Sequence, residues 1–126
     1  MIYASSSKIL INSSIFVDNW AQQVTHGFTT ISSTIKLFDS EIRFTEGLKY
    51  SLNVSRIDTG FFNLNFDSNL EISGQSLIEN LLAQKTAVVR AETQSSFKTR
   101  GNVQFKNNVA ISGTTLGFNR VSTIDI

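Results

Sequence analysis

The sequence predicts a mainly β fold, an antiparallel β-sandwich or small barrel with one short α-helix over about 75–85. Three observations predict it. Apolar and polar residues alternate along most of the chain, the period of a half-buried strand. One segment only departs to helical spacing. No Pro interrupts any apolar run, so nothing bars a ladder position.

Short apolar pairs open the chain at Ile9/Ile11 and Ile15/Val17. Ile35/Leu37 and Ile42/Phe44 flank Asp39-Ser40, which predicts a hairpin turn. Leu48, Tyr50, Leu52 and Val54 alternate with polar residues, and Phe62, Leu64 and Phe66 repeat the pattern. Leu70 and Ile72 return to the same parity after Ser68. Asp58-Thr59-Gly60 lies between these runs, with Gly60 free to take positive φ, so 48–57 and 61–72 read as a hairpin. Leu77, Ile78, Leu81 and Leu82 then share one helical face. Ser76 and Glu79 form a capping box, and Gly74 precedes it, which predicts a helix lying as a lid on the β core. Val88/Arg90, Val103/Phe105, Val109/Ile111, Leu116/Phe118 and Ile124/Ile126 supply the remaining strands. Asn107-Asn108 predicts a tight hairpin over 103–111, and Gly113 and Gly117 read as turn residues beside the last strands. No internal repeat is visible. The 126 residues read as a single domain, 1–126, with extended terminal segments.

Composition excludes more than it identifies. There is no Cys and one His, which removes disulfides, thiolate sites and His-clustered metal sites within one chain. Ser, Thr and Asn number 17, 12 and 11, so the polar positions are neutral rather than charged. The net charge is +1, but residues 1–80 carry five Lys/Arg and eight Asp/Glu, and residues 81–126 carry six and two. That polarity suits head-to-tail contact between copies, or one basic face. No stretch is apolar enough to span a bilayer as a helix, and the Ser-broken N-terminal segment is not a secretory signal. No membrane partner is expected.

Candidate sites are weak individually. His26 is the sole possible imidazole base, and no Gly-x-Ser-x-Gly elbow presents a serine to it; a small hydrolase built on His26 is the third-ranked reading. Asp39 and Glu41 near a turn read as surface pairs with Lys36 and Arg43 rather than a glycosidase dyad. Asp67-x-Asn69-x-Glu71 opens like a calcium loop but has Ile72 where Gly is needed and Ile78 in place of the bidentate Glu. Phosphate-cradling glycine motifs are absent from the sequence, and no cofactor is expected. The stretch from Phe97 through Lys98, Arg100 and Lys106 sets cations and aromatics on one β-ribbon, as a nucleic-acid or subunit contact needs. Arg100-Gly101 followed by Val103-x-Phe105 faintly resembles an RNA-recognition motif, with Asn102 in place of its first stacking aromatic. Trp20 and the terminal residues Ile9, Ile11, Ile124 and Ile126 are candidate interface positions, because the termini alternate like strands without a local partner.

What remains is a non-enzymatic structural subunit that self-assembles, its partners being copies of itself and other structural proteins. The order of elements (strands, a helix at about 75–85, then strands) resembles phage tail-tube subunits or another small virion protein. That resemblance implies a β-sandwich in a hexameric ring, with the helix at the flank and the extended termini or a long loop bridging neighbours, assembled in a host cytoplasm and located in the virion. The alternative is a β-barrel module binding single-stranded nucleic acid or another ligand.

Overall fold

The computed structural model describes residues 1–18, 27–45, 60–119 and 123–126. The strands in chain order are β1 (Ile2–Ser5), β2 (Lys8–Asn12), β3 (Ile15–Val17), β4 (Phe28–Ile31), β5 (Thr34–Phe38), β6 (Glu41–Arg43) and β7 (Phe62–Asn65). There follow β8 (Asn69–Glu79), β9 (Leu82–Ala83), β10 (Thr86–Glu92), β11 (Ser96–Lys106), β12 (Val109–Ala110), β13 (Thr114–Asn119) and β14 (Thr123–Asp125). Every strand pair is parallel. The molecule is a β-solenoid, in which the chain winds in coils and each coil lies on the one before.

Successive coils meet side by side. One long side stacks β1, β4, β7, β10 and β13, and the next stacks β2, β5, β8, β11 and β14. The third stacks β3, β6 and the last residues of β8, which β11 follows in register. A short fourth side pairs β9 with β12. The coil step is 26 residues from Ile2 to Phe28 and 27 from Phe62 to Val89 and from Val89 to Leu116. Between the second and third coils it is longer, from Phe28 to Phe62, Thr34 to Asn69 and Glu41 to Leu77.

Alternation survives inside the coil, and register turns it into columns. Ile9, Ile35, Leu70 and Phe97 form one inward column on the second side, and Ile11, Leu37 and Ile72 the next. On the third side Phe16, Ile42, Ile78 and Phe105 stack in register. Phe28, Phe62 and Val89 do so on the first side, where Phe28 and Phe62 stack with centroids 5.6 Å apart. Phe16 and Phe61 close the same cluster edge-on at 5.7 Å. Each such side chain contributes about 1.5–3 kcal/mol on burial, so the axial core carries most of the stability.

Corners let the sides turn. Each needs a left-handed residue, and Ser13, Asp39, Gly74 and Gly101 supply it between the second and third sides with φ of 46°, 46°, 75° and 87°. A serine comes directly after Ser13 and Asp39 and two residues after Gly74. The Ser14 N–H donates to Ser40 Oγ at 3.1 Å, and the Ser40 N–H to Ser76 Oγ at 3.2 Å. The corner between the first and second sides repeats the device. There the N–H groups of Ser7, Ser33 and Ser68 donate to the Oγ of Ser33, Ser68 and Ser95 at 3.1, 3.3 and 3.2 Å. Each hydroxyl also donates back into its own coil, as Ser33 Oγ does to the Ile31 carbonyl at 2.8 Å. The corner serines are therefore structural, and Ser33, Ser40, Ser68, Ser76 and Ser95 are all buried.

These features correct the sequence reading. The sandwich or barrel is a parallel solenoid, because alternation reports a half-buried strand and not its direction. The helix over 75–85 does not form: β8 runs through Glu79, Asn80 turns a corner at φ 60°, and β9 follows. Ser76, taken as its cap, instead accepts the Ser40 N–H. Asp39-Ser40 and Asn107-Asn108 turn corners within one coil, so β5 pairs with β2 and β8 rather than β6, and β12 pairs with β9 rather than β11. Of the 48–57/61–72 hairpin, the first arm lies outside the described residues, and Phe62 pairs in parallel with Phe28 and Val89. Gly60 has no positive φ; a Cβ there would lie 1.7 Å from the Ala87 carbonyl oxygen, so the position is held by close approach of two coils. Gly117 lies within β13. The terminal segments do have local partners, and the coils are an internal repeat hidden by their divergent residues.

Two outcomes follow for urea unfolding. Ser68→Ala leaves the buried Ser33 N–H without its partner and removes the hydroxyl's bond to the Asn65 carbonyl, at a cost of about 1–3 kcal/mol, whereas exposed Ser7→Ala costs well below that. Gly60→Ala forces the third-to-fourth coil spacing apart and costs about 3 kcal/mol.

Candidate functional site

The outer face of the second side presents one charged column. Lys36, Glu71, Lys98 and Asp125 stand in register on β5, β8, β11 and β14, alternating in sign. Glu71 is shared: Lys36 Nζ lies 3.1 Å from one carboxylate oxygen and Arg100 Nε 3.5 Å from the other. Lys98 donates to Asp125. That hydrogen bond, then the Lys98 charge and to a lesser degree Arg100, hold the Asp125 carboxyl below its ordinary value of 3.8.

The candidate nucleic-acid ribbon is thereby resolved residue by residue. Lys98 and Arg100 point outward but are each engaged by a carboxylate. Lys106 is exposed and in register with Glu79. Phe97 points inward, 1% exposed, and packs on Phe105 and Phe118 with centroids 6.3 and 6.2 Å away. It is a core residue and offers no surface to a base. Arg100-Gly101 lies inside the eleven-residue β11, at the corner where Gly101 has φ 87°, in register with Ser73-Gly74 of β8.

The charge division also changes meaning. The acidic residues Asp67, Glu71 and Glu79 belong to the third coil, and Lys85, Arg90, Lys98, Arg100 and Lys106 belong to the fourth. Opposite charges thus sit on adjacent coils, where Arg100 pairs with Glu71, while Arg90 pairs with Glu92 within its own coil.

The remaining acidic candidates serve the fold. Asp39 Oδ1 accepts the Gln75 N–H at 2.8 Å, which ties one corner to the next coil. Glu41 lies 4.0 Å from Arg43 Nε. Asp67 sits at a corner with φ 57°, while Asn69 and Glu71 lie along β8. Among the described residues no group of three His, Cys, Asp or Glu side chains gathers as a metal site. Trp20 and His26 lie outside the described residues.

The terminal candidates separate into two places. Ile9 and Ile11, half buried, face the core from β2 in the first coil. Ile124 takes its register on β14 opposite Phe97, and Ile126 beyond it is 73% exposed. They therefore mark the two ends of the stack. Among the described strands β1 and β2 each pair on one side only, with β4 and β5, and β13 and β14 pair only with β10 and β11. The sequence reading missed the exposed apolar residues of the first coil. Tyr3, Leu10, Ile15 and Val17 face outward and Ile2 ends an inward column, and all five are large and 43–66% exposed. Leu10 was legible as an outlier, because it stands in the otherwise charged column Lys36, Glu71, Lys98.

Comparison with protein-family models, curated proteins and solved structures found no match for the chain. Function therefore rests on the geometry above.

The downward shift at Asp125 means that the pairing with Lys98 contributes fully above pH 3.8 and is lost as pH falls through the lower folded-state value. Lys98→Met is expected to raise the Asp125 titration midpoint, read from its carboxyl carbon resonance. An unmoved midpoint would show that the pair does not form in solution.

Proposed function

We propose that the chain is a non-enzymatic structural subunit of a larger particle, joined to its neighbours through the ends of its solenoid. The observation that carries this reading is the first coil. It sets two strand edges with unclaimed backbone groups beside five exposed large apolar side chains. An edge of that kind is a template for another strand, and natural sheets ordinarily blunt it with charge, Pro or a cap. Here the only charged residues in the first coil's strands and adjoining corners are Lys8 and Asp18, and the sequence contains no Pro.

The polar surface supports the same reading. Its neutral Ser, Thr and Asn residues serve a subunit that buries surface against neighbours, and the particle class that composition favours is a virion. The tail-tube likeness is not carried further, since it rested on a helix where β8 and β9 run. Nucleic-acid binding gains no support, because Phe97 is buried and Lys98 and Arg100 are paired.

Light scattering across protein concentration, with negative-stain images of the same samples, tests this function. Mass above the monomer is expected to grow with concentration and to persist in 1 M salt, since end-on contact rests on apolar burial and backbone pairing rather than charge. A monomer at all concentrations would remove the reading.

A further inference from the structure

The two ends of the solenoid fit each other. We infer that copies of this chain stack head to tail, the first coil of one on the last coil of the next, as an added turn of the same parallel β-stack. The inference rests on the structural-subunit reading and specifies its contact.

Register decides which residues meet. Within the molecule Ile2 aligns with Phe28, Phe62, Val89 and Leu116 in one column of the first side. Continuing that column across a junction places Leu116 against Ile2 of the second copy, and Phe118 against its Ala4. All four belong to inward columns, so the apolar core runs through the junction unbroken. On the second side the same step sets β14 along β2, and Ile124 against Ile9 in backbone register.

The outward column gives the fit its direction. Tyr3, 61% exposed, falls against Gly117, which has no side chain and leaves room for the ring. In the outer column of the second side the same step sets Asp125 against Leu10 of the second copy, with Lys8 of that copy on the diagonal, so the carboxylate gains a second cation beside Lys98.

The serine ladder between the first and second sides is open at the same place. Ser33 Oγ accepts the Ser7 N–H from the coil before, but Ser7 Oγ, in the first coil, accepts none among the described residues. Only a parallel coil continues that serine register. A two-fold pairing of first coils would reverse the strands and lose it. Head-to-tail contact uses different surfaces on the two copies and leaves an end free after each addition, so it builds unbranched filaments rather than closed dimers.

The chain has no Cys, which makes single thiols clean reporters. Ser5 and Asn119 share one outward column at opposite ends, and neighbouring strands about 4.8 Å apart are within disulfide reach. Full-length Ser5→Cys and Asn119→Cys proteins are oxidised separately and mixed. A disulfide-linked species is expected in the mixture and in neither variant alone. Cross-linking of Ser5→Cys to itself would overturn head-to-tail stacking in favour of a two-fold contact. Oligomers seen by light scattering without the mixed cross-link would overturn the stacking geometry yet leave the structural function standing, whereas a wild-type monomer removes both. Tyr3→Ser keeps the circular dichroism of the monomer and is expected to weaken association about tenfold or more. Unchanged association would overturn the seating of Tyr3 on Gly117.

Discussion

The structure depends on repeating one corner. A parallel solenoid must turn its chain at the same point in every coil, and each turn pulls a backbone N–H away from the strand ladder. Leaving such a donor buried and unpaired would cost about 1–3 kcal/mol at each corner. Serine removes the cost by standing in both coils at once. Its N–H reaches the next coil's hydroxyl, its own hydroxyl returns to a carbonyl of its own coil, and its carbonyl accepts an N–H from the coil beyond, as Ser33 does with Asn69 at 2.8 Å. Once the corners are fixed, strand register follows, and with it the columns of the core.

That constraint explains how unlike residues occupy equivalent places. At the corner between the second and third sides, Ser13, Asp39, Gly74 and Gly101 share only tolerance of positive φ. Where the serine ladder stops, at Val103 in register with Ser76, the fourth coil keeps the bend through Gly101 stacked on Gly74; a Cβ at Gly101 would lie 3.0 Å from the Gly74 carbonyl oxygen. Two solutions to the same corner thus meet in neighbouring coils. The outer face follows the same logic. A cation above a carboxylate in each step turns a parallel stack, which would set like residues together, into one of alternating charge.

Much of this was legible and some was not. Ile35, Leu37, Leu70 and Ile72 were readable as core from alternation, and the structure buries all four. Strand direction was not readable, because Asp39-Ser40 and Asn107-Asn108 suit a hairpin and a solenoid corner equally: both need a left-handed residue and neither reveals where the next strand goes. The repeat was hidden by the lengthened step between the second and third coils and by corners whose residues differ. The clue lay in the serines. Ser7, Ser33, Ser68 and Ser95 stand 26, 35 and 27 residues apart, and Ser14, Ser40 and Ser76 follow nearly the same steps. Leu77, Ile78, Leu81 and Leu82 misled because a strand, a corner and a second strand can mimic helical spacing: Ile78 and Leu81 are inside while Leu77 and Leu82 are half exposed.

A solenoid has nearest-neighbour energetics, and this sets its end coils apart from the rest. Each middle coil is held on two faces, each end coil on one. The interior coils here satisfy their corners internally and largely balance their outer charges, so they offer a partner little that is unclaimed. The first coil is different in kind: its serine hydroxyls are half used, its strand edges are open and its apolar side chains face water. Any added coil that brings N–H groups, carbonyls and apolar side chains in the same register recovers what each interior junction already has. No new chemistry is required of the partner, only the repeat itself.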